Sequence, residues 1–161
     1  MDYQLIWVLL IAVAVFAYVT LDGFDLGIGI LFPFIKDPAK RGKMMNTVAP
    51  VWDGNETWLV LGGGGLYAAF PLAYSLLMTA FYIPVFTMLL ALVFRGVAFE
   101  FRFKSRDHQK HWDFAFSAGS IIAAAMQGAM LGAFIEGIAV ENAKFVGGPF
   151  DWLSPFSVFC A

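Results

Sequence analysis

Asp22 and Asp25 stand three residues apart in a run that is otherwise apolar from Tyr3 to Ile35, and Asp53 and Glu56 repeat that spacing within VWDGNETWL. Residues three apart lie about 60° from each other around a helix, so each pair can turn two carboxyls to the same side. A carboxyl that is able to be neutral or charged can take up a proton and pass it on, and acids inside a membrane segment mark such relays. Arg95 offers a counter-ion, Asn55 an amide donor, Trp52 an interfacial aromatic and Glu100 a further acid.

These residues must be positioned by elements that live in lipid. The chain has 161 residues, of which 60% are hydrophobic and 14% charged, and its mean hydropathy is +0.75. A core of that size cannot hide so much apolar surface from water. The sequence therefore predicts an all-α integral membrane protein, a single transmembrane helical domain over residues 1–161. A bilayer needs about 20 apolar residues per helix, and four segments qualify, roughly 3–35, 49–70, 73–101 and 114–140. Together they predict a four-helix bundle. The acidic start MDYQLIWVLL leads an apolar run too long for a signal peptide, so the first helix is expected to stay as a span. The closing DWLSPFSVFCA rises in hydropathy and reads as the start of a fifth span in a longer chain, of which this is the N-terminal half.

Loop charge sets the orientation. Lys36, Lys40, Arg41 and Lys43 follow the first segment, and Arg102, Lys104, Arg106 and Lys110 follow the third. The positive-inside rule places loops 36–48 and 102–113 in the cytoplasm and the N-terminus outside. Trp7, Trp52, Trp58, Trp112 and Trp152 fall near the span ends, as interfacial belts require. With that topology Asp22, Asp25, Asp53, Asn55, Glu56, Arg95 and Glu100 come from three helices to a similar depth on the cytoplasmic side. A central Asp costs about 2.5–3.5 kcal/mol to insert, so four ionised acids at the midplane would cost on the order of 10 kcal/mol. A place near the interface, pairing with Arg95 or protonation each lowers that cost.

Plainer readings compete. Asp22 and Asp25 can mark the end of a span, since Tyr3 to Leu21 is already about one bilayer long. Asp53 can cap a helix, Arg95 can snorkel to the interface, and Glu100 can pair with Lys104 at i,i+4 in water. Gln127 reads as interhelical glue, and Glu136 as interfacial. Gly23 with Gly27, and Gly128 with Gly132, have the spacing that lets membrane helices approach closely. Net charge is −2 with one cysteine, so neither a nucleic-acid partner nor an internal disulfide is expected. The only histidines, His108 and His111, fall in a loop, which disfavours haem ligation by this chain.

The blocks TLDGFDLGIG at 20–29, APVWDGNETWLVLGGGGLYAAFP at 49–71 and FRGVAFEFR at 94–102, in that order, resemble subunit II of cytochrome bd-type quinol:oxygen oxidases, including the cyanide-insensitive branch. The resemblance covers essentially the whole chain. It implies a complex in the bacterial inner membrane that couples quinol oxidation to reduction of oxygen to water. Protons are then released outside and taken up from the cytoplasm, which generates a proton-motive force. It also implies haems b and d in a partner, subunit I, and no cofactor held through this chain. Asp53 matches the acid that such subunits contribute to a cytoplasmic proton path. Asp22 and Asp25 match an acidic element linked with assembly, proton uptake or contact with lipid and quinone. Glu56 falls where the family has Glu or Gln, which argues against its being an essential acid. A bound quinone or lipid and a small accessory subunit stay open as partners. Two other readings stand beside this one. One is a proton-coupled secondary transporter, with Gly62–Gly65 as a broken helix. The other is a purely structural assembly subunit.

Overall fold

The structure, a computed structural model, describes residues 2–161, Arg106 by its backbone alone. Helix α1 (Tyr3–Leu31) starts where the Asp2 carboxylate accepts from the N–H groups of Gln4 and Leu5. Its 29 residues extend about 43 Å, more than a bilayer core. It gives way to a single 3₁₀ turn at Phe32–Phe34, where Pro33 has no N–H to continue the ladder. Helix α2 (Pro38–Val48) is capped by Asp37, which accepts from Ala39 N–H, and carries Pro38 in its first turn. Helices α3 (Trp52–Ala69), α4 (Pro71–Ala80), α5 (Tyr82–Lys104) and α6 (Gln109–Glu136) follow. A two-stranded hairpin, β1 (Val140–Glu141) with β2 (Lys144–Phe145), and the short helix α7 (Pro155–Cys160) come last. The hairpin turns through Asn142 and Ala143, both at positive φ, which matches the right-handed twist of its strands.

Among the described residues three segments are long and apolar enough to cross a bilayer: Tyr3–Phe34, Tyr82–Lys104 and Gln109–Glu136. The expected four-span bundle differs from this in its second and third members. Helix α3 begins at Trp52 rather than position 49, and the polar WDGNE of its first turns lowers its apolar content. The expected third helix is two, α4 and α5, broken at Phe81. Pro84 accounts for the break: it has no N–H for the Ala80 carbonyl, and its ring crowds that carbonyl. Loop 36–48 is also largely helical. Met45 and Val48 of α2 are buried with Phe32, Phe99 and Phe116, and close one end of the bundle.

α5 and α6 form the most extensive helix pair, and α1 packs on both α3 and α6. Between them Leu26, Met88, Ala91, Leu92 and Ala123 make the central core. Ala80, Phe81, Ala129, Ala133 and Trp152 make the core at the hairpin end. The glycines sort differently from expectation. A Cβ at Gly23 or Gly27 meets nothing within 4 Å, so that pair makes no close approach among the described residues, and α1 stays helical through it. Gly29, on the buried side, lies directly against Ser120 of α6. Gly128 and Gly132 do let α7 approach α6 closely. Gly62–Gly65 lie within unbroken α3, and a Cβ at Gly65 would come within 3.3 Å of Ile11 Cγ1. No broken helix forms there.

Candidate functional site

Asp22 and Asp25 lie on the inner face of α1, both fully buried, and the helix runs on for about two and a half turns beyond Asp22. They therefore do not end the helix. α5 brings Arg95 to the same level, also with 0% exposure. Arg95 Nη2 donates to Asp22 Oδ1 at 2.8 Å and lies 3.8 Å from Asp25 Oδ2. α3 completes the cluster from its first turns. Asn55 Nδ2 donates to Asp25 Oδ2 at 2.8 Å, and Glu56 Oε1 lies 3.9 Å from Arg95 Nη1. Arg95 is thus a buried counter-ion and not a side chain reaching for water.

Three carboxyls share one guanidinium here. Asp22 Oδ2, Asp25 Oδ1, Arg95 Nε and Arg95 Nη1 are buried without a hydrogen-bond partner among the described residues. Buried polar groups are almost always paired, so this cluster has spare donor and acceptor capacity for a proton or a water. Arg95 and Asp22 each lie nine residues from the C-terminal end of their helices, about 13 Å along the axis. One turn before Asp22, the buried Tyr18 hydroxyl accepts from Gln127 Nε2 at 2.8 Å, which ties α1 to α6 as interhelical glue would.

The other expected site residues fall outside the cluster. Asp53 is exposed, in the first turn of α3; Val51 takes the cap position without a side-chain cap bond. A carboxylate there still benefits from the positive end of the helix dipole. Trp52 is half-buried and stacks on Phe99 with centroids 5.0 Å apart and planes 10° from parallel. Glu100 is exposed and accepts from Lys104 Nζ at 2.7 Å, an i,i+4 pair. Glu136 accepts from Ser154 Oγ, linking the end of α6 to the start of α7.

A second charged group was not evident from the sequence. Asp113 of α6 receives Arg102 Nε at 2.5 Å and Arg41 Nη1 at 3.0 Å. Arg41 Nε also donates to the Ile35 carbonyl at 2.6 Å. Both guanidinium groups lie over the Phe32 ring, at 5.4 and 5.6 Å from its centroid. The signal in the sequence was one acid, Asp113, at the junction of a basic loop and an apolar run, where bases alone suffice for topology.

His108 and His111 are exposed beyond the apolar part of α5, and Met88 is packed into the central core. Among the described residues no group of three or more His, Cys, Asp and Glu is placed to hold a metal ion.

Comparison with known proteins gives matches along almost the whole chain. A "Probable cytochrome oxidase subunit 2" of Haemophilus influenzae is 34% identical over 99% of this chain and 45% of its own length. The "Cytochrome bd-I ubiquinol oxidase subunit 2" of Escherichia coli K12 is 33% identical over 98% of this chain and 44% of its own. The "Cytochrome bd ubiquinol oxidase subunit 2" of Bacillus subtilis is 39% identical over 84% of this chain and 41% of its own. The chain thus spans less than half the length of these curated relatives. The family model for cytochrome bd terminal oxidase subunit II matches residues 3–161. The chain belongs to the cytochrome bd terminal oxidase subunit II family.

Proposed function

We propose that this chain acts as the haem-free membrane subunit of a bd-type quinol:oxygen oxidoreductase in the bacterial inner membrane. In this reading a haem-bearing subunit I is its partner, and a quinol is the substrate of the complex. Haems b and d, with the oxygen chemistry they supply, are held by that partner. The chain lies with its N-terminus outside and with loops 36–48 and 102–113 in the cytoplasm, α3 crossing as a fourth span. Its own contribution is to brace the partner and to take up protons from the cytoplasm.

The observation that carries the proton role is the meeting of Asp22, Asp25 and Glu56 on Arg95, with Asp53 exposed in the same first turns of α3 as Glu56. Asp53 and Glu56 sit almost one turn apart on α3. A proton arriving at the Asp53 carboxylate passes toward the oxygen of Asp22 or Asp25 that lacks a hydrogen-bond partner among the described residues, with Glu56 beside the route and not essential to it. Arg95 and Asn55 hold these carboxyls in place throughout. Because three acids share one fixed positive charge, the cluster can gain or lose a proton without abandoning its counter-ion.

The test is oxygen consumption by the full-length complex in membranes, read beside its haem absorbance. Asp53→Asn and Asp53→Ala should assemble with normal haem spectra and turn over at least about tenfold more slowly, as removal of a positioned proton-transfer group generally does. Normal spectra with unchanged turnover would end the relay reading. The buried Arg95–Asp22 pair favours a second reading, a subunit that only supports assembly. It predicts that Asp53 and Asp22 variants lose haem absorbance together with activity.

A further inference from the structure

A groove of about 380 Å³ opens beside the Arg41–Asp113–Arg102 group, where α1 and α6 emerge next to α2. That volume is in the range of small-ligand sites. Phe32, Pro33, Arg41 and Lys110 line one end, and Phe114 and Ile121 line it along α6. The rim and the wall differ in chemistry. Arg41 and Lys110 bring two positive charges to the lining against one carboxylate, Asp113, and Arg102 adds a third from its buried place behind Asp113. Asp113 is already shared by the two arginines. Arg102 Nη2 is buried with no hydrogen-bond partner among the described residues, and Lys110 is exposed. The wall is apolar and open to the surroundings: Phe114 is 74% exposed and Ile121 44%. Phe114 and Ile121 are seven residues apart on α6, so they lie on one face, about 10 Å from each other along the helix axis.

We infer that this groove binds an anionic phospholipid, with its phosphate between Arg41 and Lys110 and an acyl chain along Phe114 and Ile121. Charge complementarity and position together select this occupant. A basic pocket at the end of a span, continuous with an apolar face, suits a lipid headgroup whose tail must remain in the bilayer. A soluble anion would gain nothing from the apolar wall. A zwitterionic headgroup would bring its own positive charge to a rim that already has an excess. The inference needs only that α6 spans the membrane; it is independent of the proton role of Asp22, Asp25 and Asp53.

The test uses the full-length subunit in its assembled complex, delipidated in detergent, with a photoreactive phenylalanine analogue at position 114. It is illuminated in the presence of vesicles of phosphatidylglycerol or of phosphatidylcholine, and the adducts are weighed by mass spectrometry. The expected result is a phosphatidylglycerol adduct, several-fold above that from phosphatidylcholine and unaffected by excess inorganic phosphate. Lys110→Gln should weaken it about fivefold, the equivalent of one near-surface charge, Lys110→Glu more, and Lys110→Arg should retain it. Lys110 is exposed, so these variants should assemble normally. Equal labelling by the two lipids, indifference to Lys110→Gln, displacement by inorganic phosphate or an adduct to protein in place of lipid would each overturn the inference.

Discussion

At the scale of single residues, Arg95 has the largest consequence for stability. Its guanidinium is the positive group shared by Asp22, Asp25 and Glu56, each within 4 Å. Taking away one partner of a fully buried pair leaves uncompensated charge, at about 3–5 kcal/mol. Arg95→Met should therefore lower the thermal midpoint of the detergent-solubilised complex sharply, or prevent its recovery from membranes. If unpaired charge is the cause, adding Asp22→Asn and Asp25→Asn to Arg95→Met should restore much of the loss. A triple variant no more stable than Arg95→Met would instead assign the loss to packing. Asn55→Ala should cost less, about 1–3 kcal/mol, since it leaves Asp25 with one hydrogen bond fewer but keeps Arg95 in place. Trp52 belongs to a different balance. Its contact is a stack on Phe99, so Trp52→Phe should preserve assembly while Trp52→Ala costs roughly 3–5 kcal/mol.

At the scale of elements, the closeness of helix pairs decides which glycines matter. Gly29 lies against Ser120 where α1 meets α6, whereas Gly23 is exposed and an added methyl there would touch nothing. Gly29→Ala must push the helices apart or displace Ser120, at about 1–3 kcal/mol. Gly23→Ala should be neutral or stabilise by up to about 1 kcal/mol through helix propensity. The two are compared by thermal midpoint in detergent. Ser120→Gly should rescue Gly29→Ala, and failure to rescue would place the strain elsewhere. Spacing alone pointed to Gly23 and Gly27, because a small-xxx-small pattern states that close approach is possible and not which face is turned inward. The long apolar helices were legible in the sequence for the opposite reason: α1, α5 and α6 follow directly from sustained hydropathy. α2 was hidden, since a polar, basic stretch reads as loop when the search is for spans, although Asp37–Pro38 was a cap and first-turn signal. The break at Phe81 was equally present in Pro84, whose missing N–H a membrane helix sometimes absorbs and here does not.

At the scale of the whole molecule, the charged groups and the basic segments gather toward the same end of the bundle. Asp22, Asp25 and Arg95 were legible as a charged cluster because acids in a greasy run are costly unless paired, and that cost made them visible. Asp113 was not legible, because its partners Arg41 and Arg102 are 72 and 11 residues away and only the folded chain unites them. The orientation proposed for this end rests on the bases around it: Lys36, Lys40 and Lys43 lie in or just before α2 and Lys104 and Lys110 beside the α5–α6 connection, while the β1–β2 hairpin holds Lys144 paired in register with Glu141. If lysine and arginine bias sets the topology, the hairpin faces outward and the α5–α6 connection faces the cytoplasm. In the full-length protein with its native cysteines replaced, including Cys160→Ser, Asn142→Cys should react with a membrane-impermeant thiol reagent in spheroplasts. His108→Cys should react only in inverted vesicles, where the cytoplasmic face is turned out. The reverse pattern would place Asp53 and the Arg95 cluster toward the outer surface. Proton uptake from the cytoplasm through these residues would then have no entrance, even with the geometry of the cluster unchanged.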